Sequence, residues 1–355
     1  MDTPLTRLGR TVPGHPLVRH LGLAVGAGAA LYFLTSALSP YNDFEVGEIA
    51  LYVVALSGLS LLTGVNGQIS LGHGAFMAVG AYTVALLMNH TGANFVLELL
   101  AAVGTSAALG VVIGIPATRL KGPYLAGLTL LLALALPPIA DKWSNTFGGD
   151  QGLTTTVPTA PGSLNPEEWL CWIQVLGALV TVVLLANLLQ SRFGRSFRAV
   201  RDNEVAAALA GVHVARTKVL AFSISAGCAG LAGAFLGLST GVVSTGEFPL
   251  TLSIQLLAAM VVGGTGTLVG MVWGAVLLVY LPQWSTSLSN QFGLGTGVNA
   301  YLATIIFGAF LIGAMLIAPS GIQGGLRWVW QRARGAMSAA GAATNVQHGV
   351  SQGST

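Results

Sequence analysis

Long apolar runs separated by short polar stretches dominate the chain, at 20–38, 47–63, 70–89, 95–117, 121–140, 169–190, 216–239, 250–262, 267–284 and 298–318. About 20 apolar residues cross the hydrocarbon core of a bilayer as a helix, so the pattern predicts an all-α, polytopic integral membrane protein of about ten transmembrane helices. The stretch 250–290 is the least regular, because Gly263, Gly264, Thr265 and Gly266 interrupt it and its first piece is short for a crossing. If both pieces cross, Arg327, Arg332 and Arg334 return to the side of Arg7, Arg10 and Arg19; a re-entrant first piece would strand them opposite. The first run exceeds the roughly 7 to 15 apolar residues of a secretory signal and reads as a retained anchor. Beyond residue 335 or so the chain is rich in Ala, Gly, Ser and Gln without a period, and reads as disordered. The expected organisation is a cytoplasmic segment 1–19, a membrane domain 20–320 and a cytoplasmic tail 321–355.

Composition agrees and excludes a soluble enzyme. Charged residues make up 8% of the 355 residues against 53% hydrophobic, where a soluble surface needs roughly 25% charged. Cys171 and Cys228 lie in apolar runs and suit buried small side chains rather than a disulfide framework. The formal net charge of +3 would invite a nucleic-acid reading, but the basic residues are clustered. Arg119 and Lys121 form one pair, and Arg192, Arg195, Arg198, Arg201, Arg216 and Lys218 share one loop. Acids occupy the alternate loops: Asp43, Glu45 and Glu48 in one, Asp141, Asp150, Glu167 and Glu168 in another, and Glu247 in a third. That alternation is the positive-inside pattern of a multi-pass cell-membrane protein, with both termini expected in the cytoplasm, and no nucleic-acid partner is needed to explain it.

Chemistry is sparse within the runs. Glu48 and Glu98 fall near span ends, and His73 is the one titratable residue well inside an apolar run. A proton- or sodium-coupled transporter keeps a carboxylate at depth, so the energy source is expected elsewhere. No Gly-x-x-x-x-Gly-Lys-Ser/Thr exists, so ATP is not expected to bind here. The cluster Gly264–Gly270 has the wrong spacing for a dinucleotide loop and suits close helix packing through small residues.

Two segments stand out. Gly64 to Phe76 places Asn66, Gln68, Ser70 and His73 among glycines between two runs. Broken helices leave free backbone groups where they line a cavity or are buried in protein. The segment therefore reads either as a lining of a permeation route, with Ser70 capping the restarted helix, or as a tight turn with His73 bonded to a neighbouring helix. A looser echo at Gly264–Gly274 hints at an internal, inverted repeat. The second segment is the basic loop 191–218, too polar to cross. Within it Asp202 or Asn203 can cap a short helix, Glu204 suits its positive end, Ala206 to Ala208 propagate it and Gly211 ends it. It reads either as a rigid knob for a partner or as a basic loop on anionic lipid.

At Gly64–Ala81, Arg198–Gly233 and Met260–Pro282 the sequence resembles the LivM-type permease subunits of ABC importers for branched-chain amino acids. The run Glu204-Val205-Ala206-Ala207-Ala208-Leu209-Ala210-Gly211 resembles that family's coupling loop, Glu-x-Ala-Ala followed by Gly. The resemblance implies that Arg198, Asp202, Asn203, Glu204, Ala207 and Gly211 face an ATPase, and that this chain is non-catalytic and binds no cofactor. ATP and Mg would be used by two ATPase subunits. A homologous second permease and an extracytoplasmic solute-binding protein would complete the assembly in the inner or plasma membrane of a bacterial cell. Leucine, isoleucine and valine are the implied cargo; urea or short amides, a stand-alone ion-gradient transporter or channel, and a membrane scaffold are the alternatives.

Overall fold

The computed structural model describes residues 40–291 apart from 93, 121, 163 and 164, with 321–325 and isolated positions at 22, 26, 28, 305, 308, 309 and 313. The expected spans at 20–38 and 298–318, the segment 1–19 and the tail beyond 325 lie outside the described residues, as do Arg327, Arg332 and Arg334. The helices are α1 (Pro40–Leu59), α2 (His73–His90), α3 (Phe95–Ala117), α4 (Pro123–Lys142), α5 (Pro166–Gln190), α6 (Arg192–Asp202), α7 (Glu204–Leu209), α8 (Val214–Thr240), α9 (Leu250–Gly264) and α10 (Leu268–Gln291). Among the described residues, six helical segments are long and apolar enough to cross a membrane: Asp43–Val65, Phe95–Ala117, Pro123–Lys142, Pro166–Gln190, Val214–Thr240 and Thr245–Gly264.

α8 is the central post. Its 27 residues make about 40 Å of helix, and it packs on α1, α2 and α3 at once. Small side chains permit this: α3 buries Ala102, Ser106, Gly110 and Gly114, four residues apart, against α8, and Gly230 and Gly233 of α8 lie on the backbones of α3 and α2. α2 is mostly buried. α3 instead presents Val96, Leu100, Val112 and Ile115 outward, the stripe a lipid-facing helix requires.

Local signals set the starts. Asn94 Oδ1 accepts from Val96 N (3.3 Å) before α3, and Pro123 and Pro166 occupy first-turn positions of α4 and α5. Three expectations change. Asp43 and Glu45 belong to α1 rather than a loop, because the helix starts at Pro40, and Asp43 suits the positive end of its first turn. The loop 191–218 contains a second, unexpected helix, α6. One two-stranded antiparallel pair joins β1 (Leu153–Thr154) to β2 (Val242–Val243), in register Leu153 with Val243.

The chain's alternation sorts charge to the two ends of the bundle. Arg119 and the Arg192–Lys218 segment lie at one end, with the start of α2 and the turn between α9 and α10. Asp43, Glu98, Asp141, Glu167, Glu168 and Glu247 lie at the other, with the strand pair. α9 therefore leads from the acidic end toward the basic end, its 15 residues making about 22 Å of helix.

Candidate functional site

α6 and α7 are built by local chemistry. The Ser191 hydroxyl accepts from Phe193 N (3.1 Å) at the start of α6. Gly194, Phe197 and Val200 form its buried face. Arg192, Arg195, Arg198 and Arg201 are spaced by three and step around the helix, so that Arg192 and Arg195 lie opposite the buried face and Arg201 beside it. Arg198 Nη2 donates to Leu189 O (3.0 Å), closing the end of α5. Asp202 is exposed and pairs with Arg201 at 3.0 Å.

Asn203 is extended and caps α7, its Oδ1 accepting from Val205 N and Ala206 N, both at 3.0 Å. At the far end Gly211 N donates to Ala208 O and Val212 N to Ala207 O, each at 3.0 Å. This paired closure needs a residue with positive φ, and Gly211 supplies it at 85°. Both ends of the two-turn helix are thus tied off. Ala207 faces inward and is buried, whereas Val205 and Leu209 are 70% and 86% exposed. Glu204 Oε1 accepts from Lys218 Nζ at 2.6 Å, with the Lys218 side chain only 5% exposed.

Asn66, Gln68, Ser70 and His73 are all buried at the same end of the bundle. α1 runs into a π-helical turn, Ser60–Val65, and then breaks. Asn66 N donates to Leu61 O and Gln68 N to Leu62 O, both at 3.0 Å, and Gly67 has φ 78°. His73 Nε2 donates to Ala55 O (2.9 Å). Ser70 does not cap α2: the helix starts at His73 after Gly72, and the Ser70 hydroxyl accepts from Gly72 N (3.4 Å). The first-turn donor at Gly74 goes instead to Ser253 Oγ of α9 (3.0 Å), so a neighbouring helix satisfies the restart. Asn66 Oδ1 and Nδ2 and Gln68 Oε1 have no hydrogen-bond partner among the described residues. Buried amide atoms left free are uncommon and point to a transient partner such as water or solute.

The two segments touch. Arg201 Nη1 donates to Gly64 O (2.9 Å), and Gln68 Nε2 donates to Lys218 O (3.2 Å). The glycine echo also arrives here: Gly266 N donates to Ser60 Oγ (3.1 Å), and a side chain on Gly64 would run into the Gly266 backbone. Arg201 and Lys218 were not among the candidate residues. A lysine opening an otherwise apolar span, fourteen residues after an acid, and arginines at a three-residue spacing were the available signals. No cluster of three His, Cys, Asp or Glu fit to hold a metal occurs among the described residues.

Residues 46–318 match the family described as the branched-chain amino acid transport system permease component. The LivM permease of the high-affinity branched-chain amino acid transport system of Salmonella typhimurium is 30% identical over 297 residues, covering 77% of this chain and 67% of that protein. The corresponding permease BraD of Pseudomonas aeruginosa is 26% identical, covering 80% and 94%, and LivH of Escherichia coli is 24% identical, covering 83% and 96%. No solved structure matches the chain.

Proposed function

Because the chain belongs to the permease-component family of branched-chain amino acid transport systems, we propose that it is the gate of an ATP-driven importer, moved from the cytoplasmic side through α7. The chain itself is a polytopic membrane permease. The observation that carries the proposal is a two-turn helix capped at both ends, turning Val205 and Leu209 outward from a basic segment. An apolar pair held on a rigid support is costly in water and suits a groove on a partner. The basic end faces the cytoplasm, where the positive-inside rule puts it. Two ATPase subunits dock there, Asn203, Glu204, Ala207 and Gly211 shape the docking helix, and Arg198 and Asp202 flank it. A homologous permease sits alongside, and a binding protein delivers cargo at the acidic end.

For cargo we assign leucine, isoleucine and valine, because the relatives are permeases of branched-chain amino acid transport systems. Asn66 and Gln68 serve as transient partners for a zwitterion near the inner end of the route, because both Asn66 amide atoms and Gln68 Oε1 have no hydrogen-bond partner among the described residues. Ser70 and His73 hold the shape of the bend, because their groups are engaged with Gly72 and Ala55. Reconstitution with ATPases, partner permease and binding protein tests this. Leucine uptake that needs both ATP and the binding protein is expected; gradient-driven flux through this chain alone would contradict it.

A further inference from the structure

We propose that Arg201 and Lys218 are transmission residues, which carry movement of α7 into the Gly64–Gln68 bend. The inference presupposes the docking role given to α7 above and adds the route by which docking reaches the gate. Two polar ties join the helix to the bend, and each has a reason to be rigid.

The first tie is Arg201. Where α1 breaks, its last carbonyls lose intrahelical partners, and the Gly64 carbonyl is taken by the Arg201 guanidinium at 2.9 Å. Asp202, adjacent to the start of α7, fixes the same guanidinium from the other side at 3.0 Å. The Arg201 stem lies over Gly67, where an added Cβ would come within 2.8 Å of Cγ. Gly67 also has φ 78°, which strains any other residue. A bare backbone is therefore needed both for the bend and for the arginine crossing it.

The second tie is Lys218. Its ammonium is held by Glu204, the first residue of α7, at 2.6 Å, while its own carbonyl accepts from Gln68 at 3.2 Å. One residue thus has the docking helix on one side and the bend on the other. Thr63 Oγ1 donates to Gln68 O (3.0 Å), stiffening the bend. Gly266 N on Ser60 Oγ extends the connection to the turn between α9 and α10. A shift of α7 must break these ties or take the bend with it, and the free Asn66 amide lies between Gly64 and Gln68.

The test is the amount of leucine imported per ATP hydrolysed by the full assembly. In Arg201→Gln, which loses the charged donor, loaded binding protein should still stimulate hydrolysis while uptake falls about tenfold, the factor for losing one charge-assisted bond. Arg201→Lys, which keeps a donor for Gly64 O, should restore most of the ratio. Gly67→Ala, which displaces the arginine stem, should lower the ratio as Arg201→Gln does, and the double variant should be no worse than either. A wild-type ratio in Arg201→Gln, or hydrolysis and uptake falling together in both Arg201→Gln and Gly67→Ala, would overturn the proposal. Wild-type protein with no ATP-driven uptake would remove the docking reading itself, and this inference with it.

Discussion

The two ends of the bundle are built by different means. At the basic end, directional bonds to named partners join α6, α7, α8, the α1 break and the α9–α10 turn into one network. At the acidic end Gln174 Nε2 of α5 donates to Ser239 Oγ of α8 (2.7 Å), and the loops are tied down by one two-residue strand pair, by Thr155 N and Oγ1 donating to Gly241 O (2.9 Å) and Gly237 O (2.6 Å), and by Asn89 Nδ2 donating to Thr154 O (2.9 Å). Beside them a half-open apolar cavity of about 300 Å³ lies between α2, α3 and α4, lined by Tyr82, Leu109, Leu132, Leu136 and Phe147. One end suits transmission of force, which demands stiff contacts. The other suits a surface that meets a delivered ligand, which demands compliance.

If that contrast holds, damage should differ in kind between the ends. The largest effect is expected from Gly211→Val. A β-branched residue at φ 85° is strained by about 1–3 kcal/mol, and it opens the paired closure of α7. Binding-protein stimulation of ATP hydrolysis should fall about tenfold or more, with membrane insertion intact by fractionation. Glu204→Lys comes next. Removing one member of this part-buried pair costs about 1–3 kcal/mol, and here it sets two ammonium groups together. Thermal unfolding in detergent should drop by several degrees and stimulation should be impaired, with Glu204→Gln milder. Asn203→Ala removes a cap worth about 1 kcal/mol, so coupling should weaken only a few-fold, and Asn203→Asp should restore it. Smallest in function is Thr155→Val at the opposite end. It costs about 1 kcal/mol of stability and should leave the leucine-to-ATP ratio unchanged; an altered ratio would erase the distinction between the ends.

Much of the basic end was legible in sequence because it is local. Asn203, Glu204, the alanines and Gly211 specify a capped two-turn helix within nine positions, and no distant residue is needed to read it. Ser70 misled for the opposite reason: a serine near a helix start reads as a cap, yet the donor it would have met is satisfied by Ser253, 179 positions from Gly74. Arg201 and Lys218 were visible as charge but not as connectors, since their partners at Gly64 and Gln68 are 137 and 150 positions away. α6 could have been read from its arginine spacing and its Phe197–Val200 face. Six of the expected spans were legible from hydropathy among the described residues, and the start of α1 was missed because its acids outweighed Pro40 as a signal.

The central claim is that the exposed face of α7 lies on the cytoplasmic side and is covered by the motor. Leu209→Cys, labelled with a membrane-impermeant maleimide, tests it most directly. The account predicts labelling in inside-out vesicles but not in right-side-out ones, and protection when the ATPase subunits are bound. Labelling from the outside, or equal labelling with and without the ATPases, would contradict it.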